Sequence, residues 1–207
     1  MRTFVAIPCM DMVHTQFMRS VLGTRMTGEV NFHFSQSSLI YDSRNLLAQR
    51  ALEWGADRIL WLDSDMQFEA DFFERLSARM DQGLEYVSGL YFTRKDEPEP
   101  CIYQTVIERQ NEDGTITPLS EPIREIPDRI FEIAGSGFGG VMMSARLLER
   151  VYRTFGLPFS PLMGFGEDLS FCRRVQLLGV PMFCDPDIRM GHVGQYIFTE
   201  KDYRRKE

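Results

Sequence analysis

The run Arg58-Ile59-Leu60-Trp61-Leu62-Asp63-Ser64-Asp65-Met66 limits the fold more than any other stretch of the chain. Four large apolar residues follow one another without a polar break, between Gly55-Ala56-Asp57 and a pair of aspartates. A strand with no alternation has apolar neighbours on both faces, the condition of a strand inside a mainly parallel sheet covered by helices. The two carboxylates then stand at its carboxyl end. If the backbone stays extended there, Asp63 and Asp65 point to the same side, roughly 7 Å apart at about 3.3 Å per residue. Such an edge suits a divalent cation and phosphates, because ligands of open α/β sheets bind outside the carboxyl ends of the strands. Asp-Ser-Asp equally suits a plain turn, and the stretch alone leaves both readings open.

The surrounding sequence supplies the helices such a sheet needs. Phe4 to Ile7 reads as a first buried strand ended by Pro8, Met12 to Leu22 as a helix stopped by Gly23, and Val30 to Phe34 as a second strand. Asp42-Ser43 offers N-cap residues for a helix through Trp54, with Leu47, Ala51 and Trp54 on one face. Helix, Gly55 and acidic-ended strand then make a parallel βαβ unit. Arg44 falls in that helix's first turn, where a cation opposes the macrodipole unless an anion faces it. Ala70 to Gln82 reads as an amphipathic helix and Glu85 to Phe92 as a strand. From Thr93 to Arg129 the character changes, and Asp113-Gly114 between β-rich runs signals an inserted hairpin that could serve as a lid.

Beyond it, Gly135-Ser136-Gly137-Phe138-Gly139-Gly140 allows a backbone path closed to most residues, but it precedes an apolar strand and fits neither a P-loop nor a dinucleotide fingerprint. A helix follows over Ala145 to Phe155. Gly166-Glu167-Asp168 opens another, whose apolar face is Phe171, Cys172, Val175 and Leu178. Carboxylates in a first helical turn are favoured by the dipole, so Glu167 and Asp168 are either simple caps or groups held toward a cleft, where an ionised Asp168 could take a proton from an alcohol. His192, between Gly191 and Val193-Gly194, is better placed for a loop site than His14 or His33, and its neutral imidazole could complete a coordination shell begun by Asp65. The mixed-charge tail from Thr199 to Glu207 is expected to fray.

Composition narrows the partners. A chain of 207 residues suits one domain, and a net charge of −7 argues against broad contact with nucleic-acid phosphates. Cys9, Cys101, Cys172 and Cys184 show no CxxC spacing, so reduced thiols and a cytoplasmic location are expected. No apolar run approaches the ~18 residues of a membrane span.

In order and spacing, Ile7-Pro8, Arg44-Asn45, Asp63-Ser64-Asp65, the glycines from Ser136 to Gly140, Gly166-Glu167-Asp168 and late His192 resemble the GT-A glycosyltransferases, especially those of the family 2 type. The resemblance implies a single Rossmann-like α/β domain with the hairpin insertion at 93–129. It implies Mn²⁺ or Mg²⁺ held by Asp65 and His192, and a nucleotide-sugar donor contacted by Pro8, Arg44, Asn45, Asp63 and Ser64. An acceptor would lie near Gly137, Gly139 and Glu167, with Asp168 as base in an inverting transfer. Two other readings stay open: a non-catalytic nucleotide- or sugar-binding protein, and a haloacid-dehalogenase-like phosphatase with Asp63 as nucleophile. The phosphatase motif belongs on a first strand and wants threonine where Gln67 stands.

Overall fold

The computed structural model describes residues 1–10, 12–194 and 197–203. In chain order its elements are β1 (Arg2–Cys9), α1 (Thr15–Gly23), β2 (Glu29–Gln36), α2 (Ile40–Glu53), β3 (Arg58–Leu62), β4 (Met66–Gln67), α3 (Phe72–Asp81) and β5 (Tyr86–Leu90). Then come β6 (Ile102–Gln110), β7 (Ile116–Pro122), β8 (Phe131–Ile133), β9 (Gly135–Ser136), β10 (Gly140–Ser144), α4 (Ala145–Phe155) and α5 (Glu167–Leu177). The chain ends in β11 (Met182–Arg189), β12 (Gly191–Val193), β13 (Ile197–Phe198) and α6 (Glu200–Tyr203). Of the tail expected to fray, 204–207 lie outside the described residues.

The central sheet has seven strands in the order β2-β1-β3-β10-β5-β11-β8. β1 is parallel to β2 and β3, and β11 to β5, while β10 runs against both β3 and β5 and β8 runs against β11. Five strands therefore share one direction, and a mixed α/β architecture with a mainly parallel sheet results. Every residue of β3 is buried, as its unbroken apolar run requires. Alternate residues feed two cores: Phe4, Ala6, Ile59 and Trp61 face α2, α4 and α5, whereas Val5, Ile7, Leu60 and Leu62 face α1 and α3. Trp61 anchors the first core, with ring centroids 5.9 Å from Phe138 and 4.8 Å from Phe159. Truncating such a side chain to alanine costs about 3–5 kcal/mol.

Three local expectations need correction. α1 begins at Thr15 rather than Met12. α2 begins at Ile40, ahead of Asp42-Ser43, because the Leu39 carbonyl already accepts from the amides of Asp42 and Ser43 at 3.1 and 3.3 Å. Asp42 is thus the first-turn anion, and Arg44 lies deeper in the helix. Most consequentially, the chain does not stay extended through Asp63-Ser64-Asp65. β3 stops at Leu62 and the Met66 amide donates to the Asp63 carbonyl at 3.2 Å, so the two aspartates flank a turn.

Two small sheets finish the carboxyl edge. β12 pairs with β4, setting His192 opposite Met66, and the Val193 amide donates to the Asp65 carbonyl at 2.7 Å. The β6–β7 hairpin turns through residues 111–115, with Gly114 at φ +82°, a left-handed conformation that glycine adopts without strain. β6 also pairs with β9, so the hairpin is continuous with the glycine stretch. It packs Val106 on Phe165 and Leu169, and Glu108 on Arg173 at 2.8 Å.

Candidate functional site

Arg44 is the centre from which the site is built. Its guanidinium carbon lies 5.2 Å from the Phe138 ring centroid, 5.8 Å from Trp61 and 6.0 Å from Phe159, so aromatic faces carry it from below. Above, Nη2 bonds Asp63 Oδ1 at 2.7 Å and Nε bonds Glu167 Oε1 at 3.2 Å. Burial opposes the charge of Arg44, but the carboxylates of Asp63 and Glu167 outweigh it and hold the guanidinium firmly protonated. The anionic partner that its place in α2 demanded is therefore two carboxylates, one from each acidic cluster. Its remaining terminal nitrogen, Nη1, is buried without a hydrogen-bond partner.

These groups line a cavity of about 380 Å³. Its inner wall is Asp63, Ser64 and Asp65 after β3, with His192, Glu167 and Arg44; Arg94, from the loop after β5, closes one side. Its outer wall is Pro8 and Cys9 at the end of β1 and Met10 just beyond, with Ser37 and Ser38 after β2 and Ile40 at the start of α2. A larger cavity of about 490 Å³ lies elsewhere, beside β8, β11 and the end of α5. Glu132 is the one ionisable residue lining it, so the chemistry concentrates in the smaller.

Asp65 stands between an imidazole and a guanidinium. Its Oδ2 lies 3.4 Å from His192 Nε2 and 2.9 Å from Arg94 Nη1. Burial would raise its carboxyl, but the hydrogen bond and charge of His192, with the charge of Arg94, hold it below the ordinary aspartate range. His192 Nδ1 donates to the Phe92 carbonyl at 2.9 Å, an acceptor only, so Nε2 is the ring atom that faces the Asp65 carboxylate: it donates to Oδ2 while it carries a proton and offers a lone pair beside that oxygen once the proton is gone. Two electron-rich atoms converging in this way fit a divalent cation. Among the described residues no group of three His, Cys, Asp or Glu gathers to hold a metal ion alone. A hard ion bound here would draw its other donors from phosphate or water oxygens, as Mg²⁺ and Mn²⁺ sites commonly do.

Asp168 belongs to the second acidic cluster, in the first turn of α5. It lies beside the cavity rather than among its lining residues, with Oδ1 accepting from the Leu169 amide at 2.7 Å and Oδ2 toward Gly137. Burial, then the adjacent charge of Glu167, push its carboxyl up to about 6, with Arg44 pulling the other way. Asp63 also raises it, and Glu167, the residue before Asp168, shares Arg44 and the cavity with Asp63, so the second acidic cluster meets the first at this edge of the sheet.

Several expected residues stand elsewhere. Asn45 is turned from the cavity: its Oδ1 accepts from the Phe159 amide at 2.9 Å and fixes the loop before α5. Gly137 and Gly139 are buried beneath Tyr91, and a Cβ on Gly137 would run into the Tyr91 hydroxyl. That hydroxyl accepts from the Gly139 amide at 3.2 Å, and the Tyr91 ring meets His192 edge-on at 5.6 Å. The glycines thus make room for an aromatic wedge between the Asp168 shelf and His192. Glu167, expected near an acceptor, bonds Arg44 and lines the same cavity as Asp63 and Asp65. Arg94 and Tyr91 gave no signal beyond composition: the first sits in a charged loop, the second at the end of a strand.

No family model matches the sequence, and no curated protein matches it. Among solved structures it is similar to the protein A197 from STIV, with a TM-score of 0.70 and 18% identity over 96% of this chain and 94% of that one. It is also similar to GalNAc-T7, solved with UDP, GalNAc and Mn²⁺, with a TM-score of 0.61 and 12% identity over 98% of this chain and 46% of that one. At these identities the likeness is one of fold, and the fold is a GT-A-like α/β domain.

Proposed function

We propose that the chain is a metal-dependent glycosyltransferase that moves a sugar from a nucleoside-diphosphate donor to an acceptor hydroxyl with inversion. One observation carries this reading: Asp63, Asp65, His192 and Glu167 converge on a single cavity at the carboxyl ends of β1 and β3, the usual ligand position in such sheets. Asp65 and His192 would hold Mn²⁺ or Mg²⁺, which would supply charge neutralisation for a departing diphosphate. Asp63, held by Arg44, would orient the nucleoside side with Pro8 and Ser64. Asp168 would accept the acceptor proton, and a carboxyl near 6 is mostly ionised at neutral pH yet basic enough for that transfer. The β6–β7 hairpin, packed beside Asp168 through α5, is the element we assign to covering the acceptor.

A binding protein without transfer would share the cavity and differ at Asp168. The phosphatase reading gains no support, because Asp63 follows β3 and its Oδ1 is engaged by Arg44. Titration calorimetry with UDP and GDP, with and without Mn²⁺, tests the proposal: metal-dependent binding of one of them is expected, and absence of binding across nucleoside diphosphates overturns it. Release of nucleoside diphosphate from the matching sugar donor, lost in D168N, separates transfer from binding.

A further inference from the structure

Arg94 offers the cavity a second cation, and its contacts are of a different kind from those of Arg44. It is the other Lys or Arg lining the cavity, and its side chain is 41% exposed against 3% for Arg44. Nη1 reaches Asp65 Oδ2 at 2.9 Å, the same oxygen that faces His192 Nε2, and donates to the Val193 carbonyl at 2.9 Å. The guanidinium therefore neutralises the atom a divalent ion would take. The loop that carries it is closed at its base: the Thr93 amide donates to the Glu99 carbonyl at 2.9 Å, the Glu99 amide to Thr93 Oγ1 at 3.0 Å, and Phe92 pairs with Pro100. With that base held, the exposed Arg94 side chain can turn from Asp65 while the loop keeps its backbone bonds.

Resting on the proposed donor and metal site, we infer that Arg94 is an exchangeable counter-ion. It occupies Asp65 while the site is empty, yields that oxygen to the divalent ion, and then binds the donor's diphosphate. The two cations cannot both sit on Asp65 Oδ2 without strong repulsion at such separations. A released guanidinium at the rim is a forked donor suited to phosphate oxygens. Arg44 cannot take that part, because Asp63 and Glu167 already hold it. Metal and nucleotide are then thermodynamically coupled through one side chain: each favours the state in which Arg94 has left Asp65. The ion enters well only together with a diphosphate.

The test needs no turnover. Mn²⁺ binding is followed by electron paramagnetic resonance for wild type, R94M and R94K, alone and with saturating UDP or GDP, and nucleotide affinity is measured by calorimetry with Mn²⁺ present. R94M should bind Mn²⁺ alone about tenfold tighter and UDP or GDP in the presence of Mn²⁺ about tenfold weaker, since the net worth of such charge pairs is on the order of a factor of ten. R94K, which keeps the charge without the fork, should fall between. Opposite shifts are what a merely structural loss would not produce. If R94M weakens both ligands, or leaves both unchanged, the exchange is wrong while the donor site stands. If wild type binds neither Mn²⁺ nor any nucleoside diphosphate, the site reading fails and this inference with it.

Discussion

The two acidic clusters each bring two carboxylates and meet opposite fates. Asp63 and Asp65 flank a turn at the end of the buried strand β3, and Glu167 and Asp168 open helix α5 more than a hundred residues later. Arg44 takes one carboxylate from each, Asp63 at 2.7 Å and Glu167 at 3.2 Å, and leaves the other member to its own surroundings. Asp65 is left facing His192 and Arg94 and is held below the ordinary range, whereas Asp168 is left in an enclosed place beside like charges and rises to about 6. One group is thereby suited to hold a cation and the other to hold a proton. Pairs of carboxylates driven apart in this way mark the division between ligand and base. Arg44 ties the two clusters together, while His192 and Arg94 at one end, and burial with Glu167 at the other, drive their remaining carboxylates apart.

The strongest way to break the comparison is to remove its common member. R44M leaves Asp63, Glu167 and Asp168 without their shared cation above aromatic rings, and a loss of about 3–5 kcal/mol is expected in urea unfolding. R44K should recover only part, because an ammonium cannot bond both carboxylates in one plane. A loss below about 1 kcal/mol, the value of an exposed pair, would show that the clusters are organised independently.

D168N separates the protonic end from the ligating end. Nucleoside diphosphate release should fall by about 10²–10⁴ while UDP or GDP binding with Mn²⁺ persists. In wild type the rate should climb as pH rises through about 6, when Asp168 ionises. Stability moves in the opposite sense. A carboxyl raised from 3.8 to about 6 leaves the fold unpenalised below the lower value, and stability is lost as pH rises through the upper one. D168N should therefore match wild type in acid and exceed it by about 3 kcal/mol at neutral pH, read by thermal or urea melts across pH.

D65N should reverse that signature. Asp65 is lowered from 3.8, so its ionised form stabilises the fold above that value and the contribution disappears as the solution is acidified below it. The variant should be slightly less stable than wild type at neutral pH and equal to it in strong acid. Its Mn²⁺ affinity should drop by at least about tenfold, on the scale of lost charge-assisted contacts. The smallest change is expected for E108A, which cuts the hairpin's link to Arg173 on α5. A cost of about 0.5–1 kcal/mol with Asp168's pH profile intact would show that the hairpin does not set the base.

Much of this arrangement could be read from residues alone, for reasons that also explain the misses. The unbroken apolar run of β3 demanded two covered faces, and α4 over Ala145–Phe155 follows its helical period to the residue. Both acidic clusters fall where strand and helix ends expose carboxylates. Strand direction was less accessible: Val141-Met142-Met143 is apolar whichever way it runs, and only its pairing with β3 and β5 reveals the reversal. Arg44 and Asn45 were grouped as neighbours, yet successive helical residues are rotated by about 100°, so one enters the cavity and the other faces Phe159. Asp-Ser-Asp supports strand or turn alike, and its neighbours in space, not in sequence, decide. The glycines resolved the same way: what they admit is the Tyr91 ring, from a strand nearly fifty residues earlier.

The placement of the cavity across the sheet has one more consequence. The aspartates of its inner wall follow the interior strand β3, gripped on either side, while Ser37 and Ser38 follow β2, which borders the sheet and has a neighbour on one flank alone, and Ile40 opens α2 just beyond. Substitutions along that margin can reshape which molecule is welcomed at the outer end, and need not disturb the charges deeper in. The architecture thus keeps the aspartates of the cavity on an interior strand and the uncharged Ser37 and Ser38 on the margin, so the two can be altered separately.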